Sequence, residues 1–174
     1  MENILIQSQL RTTERENLTY RMITNLVKKN IDVFAYNIVD YHDTELNENP
    51  NFTNIFSDDK LRSVLKDIKN FNDRNKKVIV LNDLAISYLM NNDYSDALGM
   101  IENLMKDKRY NVSFIYSFHT LKNNKPFEGF IKEFDKLYIF KNEEYYDVKD
   151  YNISVSEFEK IKKLKKGEYY IKLS

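Results

Sequence analysis

Cysteine is absent from this 174-residue chain, which excludes disulfide bridges, thiolate metal sites and a cysteine nucleophile. Glycine is almost as scarce: there are three, the first at position 99, so nothing before Gly99 offers main chain without a side chain in the way of a ligand. Net charge is missing too. The 27 basic and 27 acidic residues cancel, so no global field recruits nucleic acid or an anionic membrane, and any DNA contact has to be local. No apolar run approaches the roughly 20 residues that span a bilayer, and the N-terminus lacks a basic region followed by an apolar one. The chain is therefore expected to be intracellular, not secreted, and without a membrane partner. With only His42 and His119, a histidine-based zinc cluster is not expected. No glycine-flanked nucleophile elbow supports serine hydrolase chemistry.

What is present describes a globular protein. Hydrophobic residues make up 42% and aromatics 14%, and a chain of this length buries roughly 70% of the surface it exposes when unfolded. One domain over residues 1–174 is expected. Abundant Asn, Lys, Ile, Asp and Tyr fit an AT-rich genome and carry no direct chemistry.

Hydrophobic period predicts alternating strands and helices. Strand 3–7 is followed by a polar elbow at 8–15 and a helix over 16–29, with Leu18, Met22, Ile23, Leu26 and Val27 at helical spacing. Strand 31–39 is mostly apolar, with β-branched and aromatic residues, as expected where both faces are covered. Residues 40–56 have loop composition. Ser57, Asp58 and Asp59 open a helix whose inward residues are Leu61, Val64, Leu65 and Ile68. Strand 78–81, helix 95–106 and strand 111–120 follow, then a loop at 121–130 and strand 136–142, which is expected to turn into a small hairpin through "YYDV". Ser156 and Glu159 read as a capping box, Gly167 as a left-handed C-terminal cap, and residues 168–174 as a last strand. The expected fold is α/β, a mainly parallel sheet with helices on both faces, a C-terminal hairpin and an edge strand.

Ligands of open α/β sheets sit beyond the carboxyl ends of the strands. Three such ends stand out: the elbow after Gln7, the pair Asn82-Asp83, and Ser117 to Thr120. The first, "ILIQSQLRTTERENLTYRMI", has the strand-elbow-helix layout of a phosphate-binding loop without its chemistry. Such a loop needs glycines so that main-chain N–H groups reach the phosphates, a Lys for the β- and γ-phosphates, and a Ser or Thr hydroxyl for Mg²⁺. Between Gln7 and Asn17 there is neither Gly nor Lys, and only Ser8, Thr12 and Thr13 carry hydroxyls. Arg11 or Arg15 is the available cation, but a planar guanidinium does not reproduce a compact ammonium wrapped in main chain. The Lys run "KIKKLKK" at 160–166 reads as a solvated face whose stems cover apolar surface.

In order and spacing, the three elements resemble the nucleotide site of the FtsK/HerA-like genome-packaging ATPases of poxviruses, other large DNA viruses, polintons and virophages. The likeness is densest over residues 77–142, in "KVIVLNDL", "IENLMKDKRYNVSFIYSFHT" and "FIKEFDKLYIFKN". The resemblance implies a P-loop NTPase fold, ATP and Mg²⁺ as ligands of an intact member, and adjacent strands for the elbow and for Asn82-Asp83. It implies that Ser8, Arg11, Thr12 and Thr13 occupy the phosphate-binding positions. Asn82 stands at the Mg²⁺-holding acid, Asp83 at the acid that orients the attacking water, and His119 at the sensor Gln. Arg109 stands near basic residues that act on a neighbouring subunit's phosphate. Asn82 is neutral where the family holds its metal by an acid, so the Mg²⁺ site of Asn82 and Asp83 is degenerate, and losses in several electrostatic elements together abolish turnover. The expected function is a catalytically silent relative of a packaging ATPase that acts by binding in a DNA packaging or replication assembly. Viral DNA, packaging or capsid proteins and further copies of itself are the expected partners, in host cytoplasm or virion. An active ATPase using Arg11, Thr12 or Thr13, Asp83 and His119 is the alternative, and an interaction module of a virus or mobile element the third.

Overall fold

The computed structural model describes residues 2–9, 13–36, 44–70, 75–82, 95–119, 131–145 and 148–174, with the main chain alone at 44, 95, 96 and 119. Seven strands form one sheet: β1 (Ile4–Ser8), β2 (Asp32–Tyr36), β3 (Phe52–Ile55), β4 (Lys77–Asn82), β5 (Val112–His119), β6 (Lys136–Phe140) and β7 (Tyr169–Leu173). Among the described residues five α-helices accompany them: α1 (Thr13–Val27), α2 (Thr44–Asn47), α3 (Asp58–Asn70), α4 (Ser95–Lys106) and α5 (Val155–Lys162). The strand order is β3-β2-β4-β5-β1-β6-β7, parallel except for β7, which runs antiparallel to β6.

The sheet separates two apolar layers. Ile79, Leu81, Phe114 and Tyr116 pack with Leu61 and Leu65 of α3, Leu104 of α4 and Phe158 of α5. On the other side Ile6, Val33, Val80 and Ile115 pack with Leu18, Ile23 and Val27 of α1. Alternate residues of β4 enter different layers and Val78 to Leu81 are all buried, which is why its sequence is a continuous apolar run. At the amino edge the buried Asn3 joins three strands. Its amide accepts from the Phe114 N–H at 3.0 Å and donates to the Glu133 carbonyl at 3.0 Å, while its carbonyl accepts from the Asp135 and Lys136 N–H groups.

Several expectations are corrected. β1 and β4 are not adjacent, because β5 lies between them and bonds to both. The 40–56 segment contains α2 and the edge strand β3, whose main chain completes the open side of β2. Among the described residues no hairpin follows β6, and residues 146 and 147 of its expected segment lie outside them. The chain instead returns toward β1, where Asn142 is held by Gln7, and the antiparallel partner of β6 is β7, brought in after α5. The capping box is Ser154 with Glu157, two residues earlier than predicted, and α5 stops at Lys162. Gly167 does take the left-handed conformation, with φ +85°, but in the turn into β7 rather than as the cap of α5.

Candidate functional site at the carboxyl edge of the sheet

The strand ends at Gln7, Asn82 and Ser117 come together on one edge. Ser8 lies level with His119 on β5, and Asn82 lies level with Ser117 on the other side of that strand. Asn82 is thus level with Ile6 and two strand spacings, about 10 Å, from it. The main chains of Ser8, Asn82 and His119 therefore share this edge, and Thr13 opens α1 above it. Arg11, Thr12 and Asp83 lie outside the described residues, so their placement within this edge remains an expectation.

Beneath the edge the buried side chains of Gln7, Thr19, Ser117 and Asn142 are held in hydrogen bonds. Gln7 and Asn142 exchange amide hydrogen bonds of 3.2 and 2.9 Å, and Asn142 also donates to the Phe140 carbonyl at 2.8 Å. Gln9 accepts from the Glu143 N–H at 2.9 Å. The Thr19 hydroxyl donates to the Arg15 carbonyl at 3.0 Å and stands 3.1 Å from the Ser117 hydroxyl, tying α1 to β5. Asn142 sits in the "FKN" segment that carries the resemblance. Its partnership with Gln7, across 135 residues of sequence, had no local signal.

A cleft of about 670 Å³ opens beside this edge between β1, β6, the start of α1 and the turn at 164–168, with Ser8, Glu14, Phe140, Leu164 and Lys166 among its walls. Four of its charges form two pairs: Lys166 lies 3.3 Å from Glu14, and Lys141 lies 3.0 Å from Glu143. The Glu14 main-chain N–H, and less strongly Lys166, hold the Glu14 carboxyl below its ordinary range against the opposing effect of burial. The first turn of α1 contains Glu14 and Glu16, so the partial positive charge of the helix start is met by the chain's own carboxylates. Arg15 is fully buried and offers no surface guanidinium to a phosphate. Among the described residues Lys166 is a cation that reaches this helix start, from a different element than a phosphate loop would use.

Asp83, the carboxylate expected at the metal, lies outside the described residues. Among the described residues the side-chain oxygens at the strand ends and the first residue of α1 are neutral, namely the Ser8 and Thr13 hydroxyls and the Asn82 amide, and Ser8 is buried. A hard divalent cation takes oxygen ligands, neutral ones included, and is held more tightly when carboxylates are among them. No group of three or more His, Cys, Asp or Glu side chains arranged for a metal occurs among the described residues.

Arg109 is not part of this cluster. It belongs to the 3-10 turn Lys108–Tyr110 that precedes β5, so the whole length of that strand, about 23 Å, separates it from the His119 end. Its exposed guanidinium grips Asp107 with three hydrogen bonds of 2.9, 3.1 and 2.6 Å, which lowers the pKa of the Asp107 carboxyl and raises that of the guanidinium. The lysines of the 160–166 run are exposed while Ile161 is buried among them, the solvated face that the sequence suggested.

No protein-family model matches the chain, and no curated protein is similar to it in sequence. Solved structures are similar. The genome-packaging NTPase B204 from Sulfolobus turreted icosahedral virus 2, in complex with AMP, superposes with a TM-score of 0.70 at 13% identity over 99% of this chain and 92% of that one. The pCW3 conjugation coupling protein TcpA, in monomer form with ATPγS, gives 0.69 at 12% identity, with 99% of this chain matching 57% of that protein. EssC (ATPases 2 and 3) from Geobacillus thermodenitrificans gives 0.51 at 11% identity over 79% of this chain and 32% of its own. The expected P-loop NTPase-like α/β architecture is what the chain adopts: its fold is that of the genome-packaging NTPases.

Proposed function

We propose that the chain is a catalytically degenerate relative of a viral DNA-packaging ATPase that acts by binding within a DNA packaging or replication assembly. The fold supports the packaging connection. The degenerate reading rests on one observation: the helix start that would receive a triphosphate follows an elbow without Gly or Lys and carries Glu14 and Glu16 in its first turn. An anion there meets two like charges, after an elbow with no glycine to let main chain approach it. Asn82 adds a neutral group where an acid would hold Mg²⁺ more tightly. DNA, packaging or capsid proteins and copies of the chain itself are its proposed partners, and the host cytoplasm or virion its place. No helix among the described residues is long and apolar enough to cross a membrane.

The second reading, an active ATPase with an unorthodox phosphate loop, draws on Lys166, whose ammonium reaches the first turn of α1 beside an open cleft. Arg11, Thr12 or Thr13, Asp83 and His119 would then carry the reaction, with Arg109 serving a neighbouring copy. Titrating the full chain with ATP and Mg²⁺ separates the two. The degenerate reading expects no phosphate release above the rate of the Asp83→Ala variant. Saturable turnover that Asp83→Ala removes would establish the active one.

A further inference from the structure

β7 is the last strand of the sheet, and its outer edge is not paired with any strand among the described residues. The Ser174 N–H donates to the Asp135 carbonyl at 3.1 Å, which fixes the phase of the antiparallel ladder with β6. Tyr170 and Lys172 therefore make the main-chain bonds to β6, and Tyr169, Ile171 and Leu173 turn their N–H and C=O groups outward. These three residues also hold apolar side chains on one face of the strand, exposed by 36%, 45% and 68% respectively. That face belongs to the α1 side: the Tyr169 ring stands edge-on to Tyr138 and Phe140, with centroids 5.2 and 5.7 Å apart. The opposite face is tied to α5, where the Tyr170 hydroxyl and the Lys172 ammonium both reach Glu157. Edge strands are ordinarily blunted by proline, a bulge or an outward lysine. β7 has neither of the first two, and its single lysine is engaged by Glu157.

We infer that β7 pairs antiparallel with β7 of a second copy of this chain, about a two-fold axis at Ile171. The strand is self-complementary in that register. Tyr169 falls opposite the partner's Leu173 and Ile171 opposite the partner's Ile171, so every outward main-chain group meets another outward group and each opposed pair exchanges both bonds. The apolar side chains meet their own kind on one face. On the other, Lys172 opposes the partner's Tyr170, so no like charges stand directly across the seam. A formal net charge of zero leaves no global repulsion between copies. With five residues a side the interface is small, so the dimer is weak and depends on concentration.

The absence of cysteine makes a direct test available. Cα atoms of such an opposed pair lie about 5.5 Å apart, within disulfide range. Under mild oxidation Ile171→Cys is expected to give a covalent dimer. Phe56→Cys, which places an exposed thiol just after β3 at the far edge of the sheet, is expected to give none. In sedimentation the unmodified chain is expected to move toward twice the monomer mass as concentration rises. Ile171→Lys, which sets like charges on the axis, should remain monomeric with an unchanged thermal melt. A wild type that stays monomeric at every concentration, a dimer that survives Ile171→Lys, or equal cross-linking at positions 56 and 171 would overturn the inference.

Discussion

Glu157 is the group through which acid should loosen this fold, and the effect can be sized. Its carboxylate accepts from the Ser154 N–H at 2.7 Å, the Ser154 hydroxyl at 2.8 Å and the Tyr170 hydroxyl at 2.9 Å, and the Lys172 ammonium stands 3.2 Å away. The Ser154 main-chain bond first, then the Ser154 hydroxyl and the Tyr170 and Lys172 contacts, lower its pKa from an ordinary 4.5 to about 2, against the opposing effect of burial. At roughly 1.4 kcal/mol per pKa unit the whole shift is worth about 3 kcal/mol. Because 22% of the side chain remains in water, screening leaves about 1–2 kcal/mol. The folded value lies below the unfolded one, so this stabilisation is complete above pH 4.5 and is lost as pH falls from 4.5 toward 2. Urea melts of wild type and Glu157→Gln read it directly, since other acids titrate alike in both. The gap between them should be about 1–2 kcal/mol above pH 4.5 and should close on approach to pH 2. A gap that stays constant across that range would refute the assignment.

Asn142→Leu leaves the buried Gln7 amide without its partner and should cost about 1–3 kcal/mol in a urea melt, with Gln7→Leu added in the double variant recovering part of it. Gly167→Ala meets only ordinary contact, its new Cβ lying 3.9 Å from Glu14, so the left-handed backbone alone sets the cost. About 1 kcal/mol, a few degrees in Tm by calorimetry, is expected. Asn82→Asp restores an acid at the end of β4 but leaves the elbow without Gly or Lys, so a phosphate-release assay should show no ATP turnover.

Strong periodicity carried the reading where packing is two-sided. The limits of α4 coincide with prediction, β4 runs one residue further than predicted at either end, and β5 begins one residue later, because apolar residues there answer to one or both layers of the core. β3 was missed because "FTNI" mixes Asn and Thr with its apolar residues just after Pro50; it is a strand through its hydrogen bonds to β2, a tertiary fact. The capping box was misplaced because Ser154 and Ser156 each have a Glu three residues on. Burial of Ile153, Phe158 and Ile161 decides between them, by setting which turn begins the helix. Strand order has no local trace at all, so the placement of β5 between β1 and β4 could not be read. At the candidate site the residue types and the three strand ends were legible. The Gln7-Asn142 pair and the reach of Lys166 to Glu14 were not, since each joins segments far apart in sequence.

The position of β5 also has a mechanical consequence. Its main chain is bonded along one side to the strand that leads into the elbow and along the other to the strand that ends in Asn82. A displacement of either end relative to the other has to shear one of these two ladders, so the edge behaves as a single plate, and a load applied at Asn82 is delivered at Ser8 with little slack.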